Sequence, residues 1–249
     1  MTERNPILQS LFDRKSVRVY EEKPIPAEMK QAILEAAAQA PSAGCQQLYT
    51  ILDITDPALK EALAESCDHQ PFIAKAPLVL VFCADCKKWY DAYLEAGCTP
   101  RTPGVGDLML AVTDAAIAAQ NAVVAAESLG IGSCYIGDVL ENAEAMRDAL
   151  HLPQYVVPAC MLVFGRPTEQ QQRRPNPPAL PSRPSSARMC TRTARPTSCA
   201  PTLRRKPPPT ASSTTTLTKP CRHFASASTR ATFSREMTRS AEIYWKEFL

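Results

Sequence analysis

The segment Gly106 to Asp138, GDLMLAVTDAAIAAQNAVVAAESLGIGSCYIGD, constrains the chain more than any other. Between Asp107 and Ser128 the polar residues are Asp107, Thr113, Asp114, Gln120, Asn121, Glu127 and Ser128. They recur at seven-residue intervals, which aligns them as one narrow stripe on a helix. The other positions are apolar, mostly Ala or Val, so the helix has to be surrounded by protein on nearly every side. Polar residues at every second turn argue against a membrane span. Leu129-Gly130 supplies a stop, with Gly as the left-handed cap. Ser133 to Ile136 then reads as a short strand ending at Gly137. Helix, glycine turn, strand is the reverse of a dinucleotide-binding turn, in which the glycines follow a strand and open a helix.

The chain of 249 residues is long enough for one domain with a substantial core. Its net charge of +3 conceals a split. Residues 1–169 carry 13 Lys/Arg and 22 Asp/Glu, whereas residues 170–249 carry 15 and 3. The ten cysteines lack disulfide-like spacing and the start, MTERNPILQS, is polar, which predicts a cytoplasmic protein with reduced thiols. Cys83 and Cys86 form a C-x-x-C without a second pair or a nearby His, so a buried structural pair is expected rather than a metal site.

In chain order, Asn5-Pro6 opens a short helix. Arg14-Lys15-Ser16-Val17-Arg18 places three cations and a hydroxyl within five residues, suited either to a phosphate or to a solvated helix end. Pro26 opens a second helix with Ile33, Leu34 and Ala37 as its core face. Ala40 to Gln47 is a loop whose Gln residues offer paired donors and acceptors. Tyr49 to Ile54 reads as a strand, Asp56 to about Ser66 as a helix, and Cys67 to Pro71 as a polar loop. His69 stands apart from other metal ligands, so a plain surface position is expected. Leu78 to Cys83 and Val156 to Gly165 are buried strands. Lys87 to Gly106, with Trp89, Tyr90 and Tyr93, reads as a lid-like connection. Glu141 to Leu150 reads as an amphipathic helix. The mixture predicts an α+β or α/β sandwich.

Five stretches, RKSVRVY at 14–20, APSAGCQQ at 40–47, VFCAD at 81–85, AAQNAVVAAESLGIGSCYIGDV at 118–139 and VPACMLVFGRPTEQ at 157–170, together resemble the FMN-dependent nitroreductase family, in its NAD(P)H-dependent nitro- and flavin-reductase branch. The resemblance implies an α+β fold with a mainly antiparallel central sheet flanked by helices, and a homodimer whose core is the long helix. It implies FMN as cofactor and NADPH or NADH as co-substrate. Hydride would pass through flavin N5 to nitroaromatics, quinones or free flavin in ping-pong order, with no catalytic side chain, no metal, no membrane and no nucleic acid. Arg14, Lys15, Ser16 and Arg18 would hold the FMN phosphate and ribityl chain, and Arg174 the phosphate. Ser42, Ala43 and Gln47 would lie near the isoalloxazine, with Cys45 where many relatives have Asn. Gln70 would contact the flavin edge of the partner subunit. Tyr135, Gly137 and Asp138 would form the turn beside the ring. Two rival readings are a non-catalytic flavin-binding protein and an inactive reductase core with a basic nucleic-acid-binding tail.

Three regions follow: a flavin-binding core at 1–172, an aberrant segment at 173–232, and a C-terminal helix at 233–249. The middle region holds 11 prolines, 12 Lys/Arg and no acidic residue, a composition unable to form a core. A compensated frameshift accounts for it, entering between Arg174 and Arg183 and leaving before Phe233. Read from each codon's third base, RMCTRT at 188–193 can encode His-Val-His-Glu-Asn, where the family has Val-His-Glu-Asn. In the same frame, residues 224–233 can encode Cys-Lys-Arg-Lys-Tyr-Lys-Gly-Asp-Phe. The affected portion is the one that, by resemblance, wraps the partner subunit and helps hold NADPH.

Overall fold

The computed structural model describes residues 5–176 and 232–249. Its centre is a pair of apolar strands, β2 (Leu78–Asp85) and β4 (Val156–Gly165), flanked by β1 (Tyr49–Asp53) and β3 (Gly132–Ile136). The order is β1-β2-β4-β3, and every pairing is antiparallel. All eight residues of β2 are buried, because helices cover both faces. Alternation assigns them. Leu80 and Phe82 face one apolar cluster with Leu162 and Phe164, while Val79 and Val81 face another with Met161 and Val163. Pro158 sits inside β4, where a missing N–H would break a regular ladder. The register shifts by one residue there, pairing Phe82 with Cys160 and Cys83 with Pro158, so Ala159 is the extra residue of a bulge next to the proline.

On the first face lie α2 (Ala27–Ala38) and the long α6 (Val105–Ser128). Their small residues permit close approach: Ala115, Ala118, Ala119, Ala122 and Ala126 are all fully buried. Gly130 has φ +71°, the left-handed cap that the Leu129-Gly130 pair predicts. The enclosure expected of α6 is incomplete in the single chain. Met109, Leu110 and Val112 are 63%, 51% and 39% exposed, and Ile7, Leu8, Leu11 and Phe12 of α1 (Pro6–Asp13) are exposed as well. The helix is long and apolar enough to cross a membrane. Its buried Asp114 and its packing against the sheet and α2 instead identify a core helix.

The second face is covered by α3 (Pro57–Ser66), α4 (Pro71–Ala74) and α7 (Ala143–Leu150). Two elements depart from the sequence reading. Lys87–Glu95 is a helix, α5, so only the part of 87–106 beyond it is a connection. Helix α7 begins at Ala143 because Glu141 is the cap of a 3-10 turn, Asp138–Leu140, and Asn142 takes a left-handed conformation. After α8 (Glu169–Arg173), the description resumes with α9 (Thr232–Lys246), which returns to the core. Tyr244 and Phe248 are buried against Leu108, Ala143 and Val157. The proposed frameshift within 173–232 lies almost wholly outside the described residues.

Candidate functional site

The segment after α1 runs beside the sheet edge as an extra half-strand. Ser16 bridges Ser133 in parallel, and the Val17 amide donates to the Ser133 carbonyl at 2.9 Å. Val17 is buried against Gly132, where a Cβ would come within 2.4 Å of the valine side chain, so this close approach needs glycine. The contact fixes the phase of the segment. Arg14, Lys15 and Ser16 are half-buried near the C-terminal end of α6, and Arg18 is exposed with its guanidinium 5.8 Å from the Phe72 ring centre.

Arg14 and Lys15 both act on Glu127. Burial pushes the Glu127 carboxyl above its ordinary range, and the two cations pull it back. Burial also pushes the Tyr135 phenol up to about 12, with Arg14 opposing. The Tyr135 hydroxyl donates to Gln120 on α6 at 3.3 Å. Lys15 Nζ donates to the carbonyls of Gln172 and Arg174 at 2.5 and 2.7 Å. That ties Arg174 to the same flank, and Lys15 thereby spends two of its three donors on the chain itself. A 590 Å³ cleft runs between Lys15, Glu127, Gly132 and Arg174.

Beyond β3, the Gly137-Asp138 turn faces α4. Gln70 Nε2 donates to Asp138 Oδ2 at 2.5 Å and to the Cys67 carbonyl at 2.8 Å. Gly137 is exposed, with open space at its missing Cβ. Glu141 closes the turn, 4% exposed, with Oε1 lacking a hydrogen-bond partner. Burial, with Asp138, Asp68 and Glu236 adding to it, raises the Glu141 carboxyl to about 7. The sequence reading passed over this residue, since only the fold shows that it is buried among other acids.

The third group stands apart in the chain's own hydrogen bonding. Gly44, Cys45 and Gln47 all have positive φ. Non-glycine residues pay for that conformation, so something has to hold the loop. Asp114 does so, accepting from the Ala43 amide at 3.0 Å and the Leu48 amide at 3.2 Å. Ser42 Oγ accepts from the Gln47 amide, and Gln47 Nε2 donates to the Ala38 carbonyl. Asp114 precedes Gln120 by six residues, about 9 Å along the helix axis. One chain therefore joins Arg14, Lys15, Ser16, Tyr135 and Arg174 on one flank and Gln70, Gly137 and Asp138 beside it. Ser42, Ala43 and Gln47 are anchored farther along α6.

The remaining candidates resolve simply. His69 is an exposed partner of Glu65, and the hydrogen bond to that carboxylate raises its pKa. Cys83 and Cys86 are buried free thiols, each pushed up to about 12 by burial, and so stay as inert thiols at neutral pH. Among the described residues, no cluster of His, Cys, Asp and Glu is arranged to hold a metal.

A phosphate-bearing ligand suits the chemistry of this donor set. Arg14, Arg18 and Arg174 offer cations, Ser16 a hydroxyl, and Ser133 a buried hydroxyl with no partner. The site and the helix-covered antiparallel sheet define an α+β class with an anion-directed edge beside β3. A model of the nitroreductase family matches residues 11–166, and the chain belongs to that family. It is 34% identical over 181 residues to an FMN reductase [NAD(P)H] of Bacillus subtilis, covering 70% of this chain and 71% of that one. It is 35% identical over 176 residues to an oxygen-insensitive NADPH nitroreductase of Salmonella typhimurium, with the same coverage. Among solved structures, B. megaterium NfrA1 superposes with a TM-score of 0.69 at 31% identity, covering 78% of this chain and 76% of that one.

Proposed function

We infer that the protein is an FMN-dependent oxidoreductase that oxidises NADPH or NADH and reduces small acceptors such as quinones, nitroaromatics or free flavin in ping-pong order. The observation that carries the reading is that Arg14, Ser16 and Tyr135 lie together beside β3, inside the region that matches the family, with the Arg174 backbone tied to the same flank through Lys15. When bound, FMN supplies the redox chemistry, and the protein supplies position and electrostatics. Arg14, Arg18 and Arg174 neutralise the phosphate, Ser16 donates to it, and Lys15 fixes the segment that carries Arg174. The Gln70–Asp138 pair sets the turn that presents Gly137. Arg14→Ala should release FMN, with the dissociation constant rising at least about tenfold, the loss expected for one charge-assisted hydrogen bond. Unchanged FMN retention in Arg14→Ala would sink the phosphate assignment.

The working unit in this reading is a cytoplasmic homodimer. The exposed apolar side chains of α1 and α6 support it, as does the separation of the Ser42–Gln47 loop from the Arg14 group, which leaves that loop free to serve a partner's flavin. The compensated frameshift is supported by α9. After the unusual composition of 173–232, Ser240 Oγ accepts from the Ala143 amide and Arg239 pairs with Glu144. A helix that fits the core so specifically is expected where the original frame resumes. Sequencing the source DNA decides the matter, and an unshifted frame encoding the printed residues would remove the idea.

A further inference from the structure

Glu141 has no part in the cofactor contacts above, yet it joins two pieces of the fold that lie far apart in the chain. On its N-terminal side, its amide donates to the Asp138 carbonyl at 2.9 Å and closes the turn whose Asp138 carboxylate is held by Gln70. On its C-terminal side, the next two amides hold α9. The Asn142 amide donates to Glu236 Oε1 at 3.1 Å, and the Ala143 amide to Ser240 Oγ at 3.0 Å. The Tyr244 hydroxyl donates to the Ala143 carbonyl at 3.3 Å. Asn142 is left-handed, with φ +51°, a conformation that its surroundings have to hold. A displacement of Glu141 therefore reaches both the turn and α9.

The carboxyl is buried and its Oε1 has no partner. The titratable groups around it are Asp138 of the turn, Cys67 and Asp68 after α3, and Glu236 on α9. Burial pushes the Cys67 thiol up to about 12, so it stays neutral. Arg239 on α9 is committed to Glu236 at 2.8 Å and to Glu144 on α7 at 2.9 Å. His69 pairs with the exposed Glu65. Among the described residues these acids are not grouped to hold a metal ion, which leaves a proton to neutralise the site.

We propose that the segment 141–143 is a proton-controlled latch, which keeps α9 docked and the Gln70–Asp138 turn set while Glu141 carries its proton. When the proton leaves, the buried carboxylate faces three others. Undocking α9 relieves it by removing Glu236 and admitting water. The turn slackens in the same step, and the consequence for FMN rests on the flavin reading above. The docked carboxyl titrates at about 7 against an ordinary value of 4.5, so docking weakens about tenfold between pH 6 and pH 8, mostly below pH 7.

Hydrogen exchange of residues 235–249 in the full chain, read by mass spectrometry at both pH values and corrected for intrinsic exchange, measures the opening of α9. The opening constant should rise about tenfold from pH 6 to pH 8 in the parent, and less than about twofold in Glu141→Gln. Asp68→Asn, at an exposed position whose left-handed backbone suits asparagine, should shrink the rise without removing it. The FMN dissociation constant should rise at least about threefold more in the parent than in Glu141→Gln over the same interval. Equal α9 responses in the parent and Glu141→Gln would overturn the latch. If that variant does not fold, the parent's full rise in Asp68→Asn would do so. An α9 response without a difference in FMN affinity would overturn the link to the turn. A protein that binds no FMN at either pH would overturn the flavin reading instead, and the exchange measurement, which needs no flavin, still decides the latch.

Discussion

At the scale of single residues, Asp114 and Glu141 show what sequence conveys and what it conceals. Asp114 lies in the polar stripe of the long helix, so its departure from an apolar pattern was visible. Its task was not, because the amides it accepts from belong to residues 66 and 71 positions away. Glu141 looks like an ordinary helix-start acid in the sequence. In the fold it is buried and its carboxyl is raised from 4.5 to about 7. Between those values the folded protein holds a proton that the unfolded chain has released. Stability therefore falls as pH rises from about 4.5 to about 7, and stays lowered above that. Glu141→Gln should abolish this slope and raise the thermal midpoint at pH 8 by about 2–4 °C, with little change at pH 4.5. Equal midpoints at pH 8 would show that the carboxyl is ionised there without penalty. Of the resemblance-derived residues, Lys15 gained an unanticipated role, as the tether of the Gln172–Arg174 segment.

At the scale of elements, periodicity served well where one face is buried throughout. The apolar runs at Leu78 and Val156 became the two central strands, and the seven-residue stripe became α6. It failed at Lys87–Glu95, where the two prolines and the aromatic residues suggested a connection. The prolines fall at 100 and 103, beyond the helix end, and so never interrupt it. The half-strand at Ser16 also escaped notice, since it is one bridge rather than a run. Gly132 is its hidden requirement. Gly132→Ala would push Val17 away from β3, because the new Cβ would lie 2.4 Å from Val17 Cγ2. A cost of about 1–3 kcal/mol in unfolding free energy is expected from such overpacking. FMN retention should fall with it, since Arg14 and Ser16 ride on the displaced segment. A Gly132→Ala protein with the stability and FMN content of the parent would contradict the anchoring role.

At the scale of the whole molecule, the single chain leaves large apolar side chains of α1 and α6 exposed. Leu11 and Phe12 of α1 and Met109 and Leu110 of α6 are about half exposed or more, more exposed apolar surface than a single chain gains from. A mass near 54.4 kDa, twice 27.2 kDa, is expected by light scattering at micromolar concentration, and a strictly monomeric mass would remove the dimer proposal. The helix composition is what suggested a partner in the sequence, whereas the division of the candidate site into separately anchored groups was not legible there. That division depends on which loops Asp114 and β3 hold, which only the tertiary structure reveals. The segment from 173 to 232 bears most directly on whether the printed chain can complete its site. The deciding measurement is the visible absorbance spectrum of the purified protein under anaerobic conditions, before and after NADPH and then after a quinone. A flavin spectrum that bleaches with NADPH and returns with the quinone is the predicted result. A colourless protein that takes up no added FMN would contradict the account.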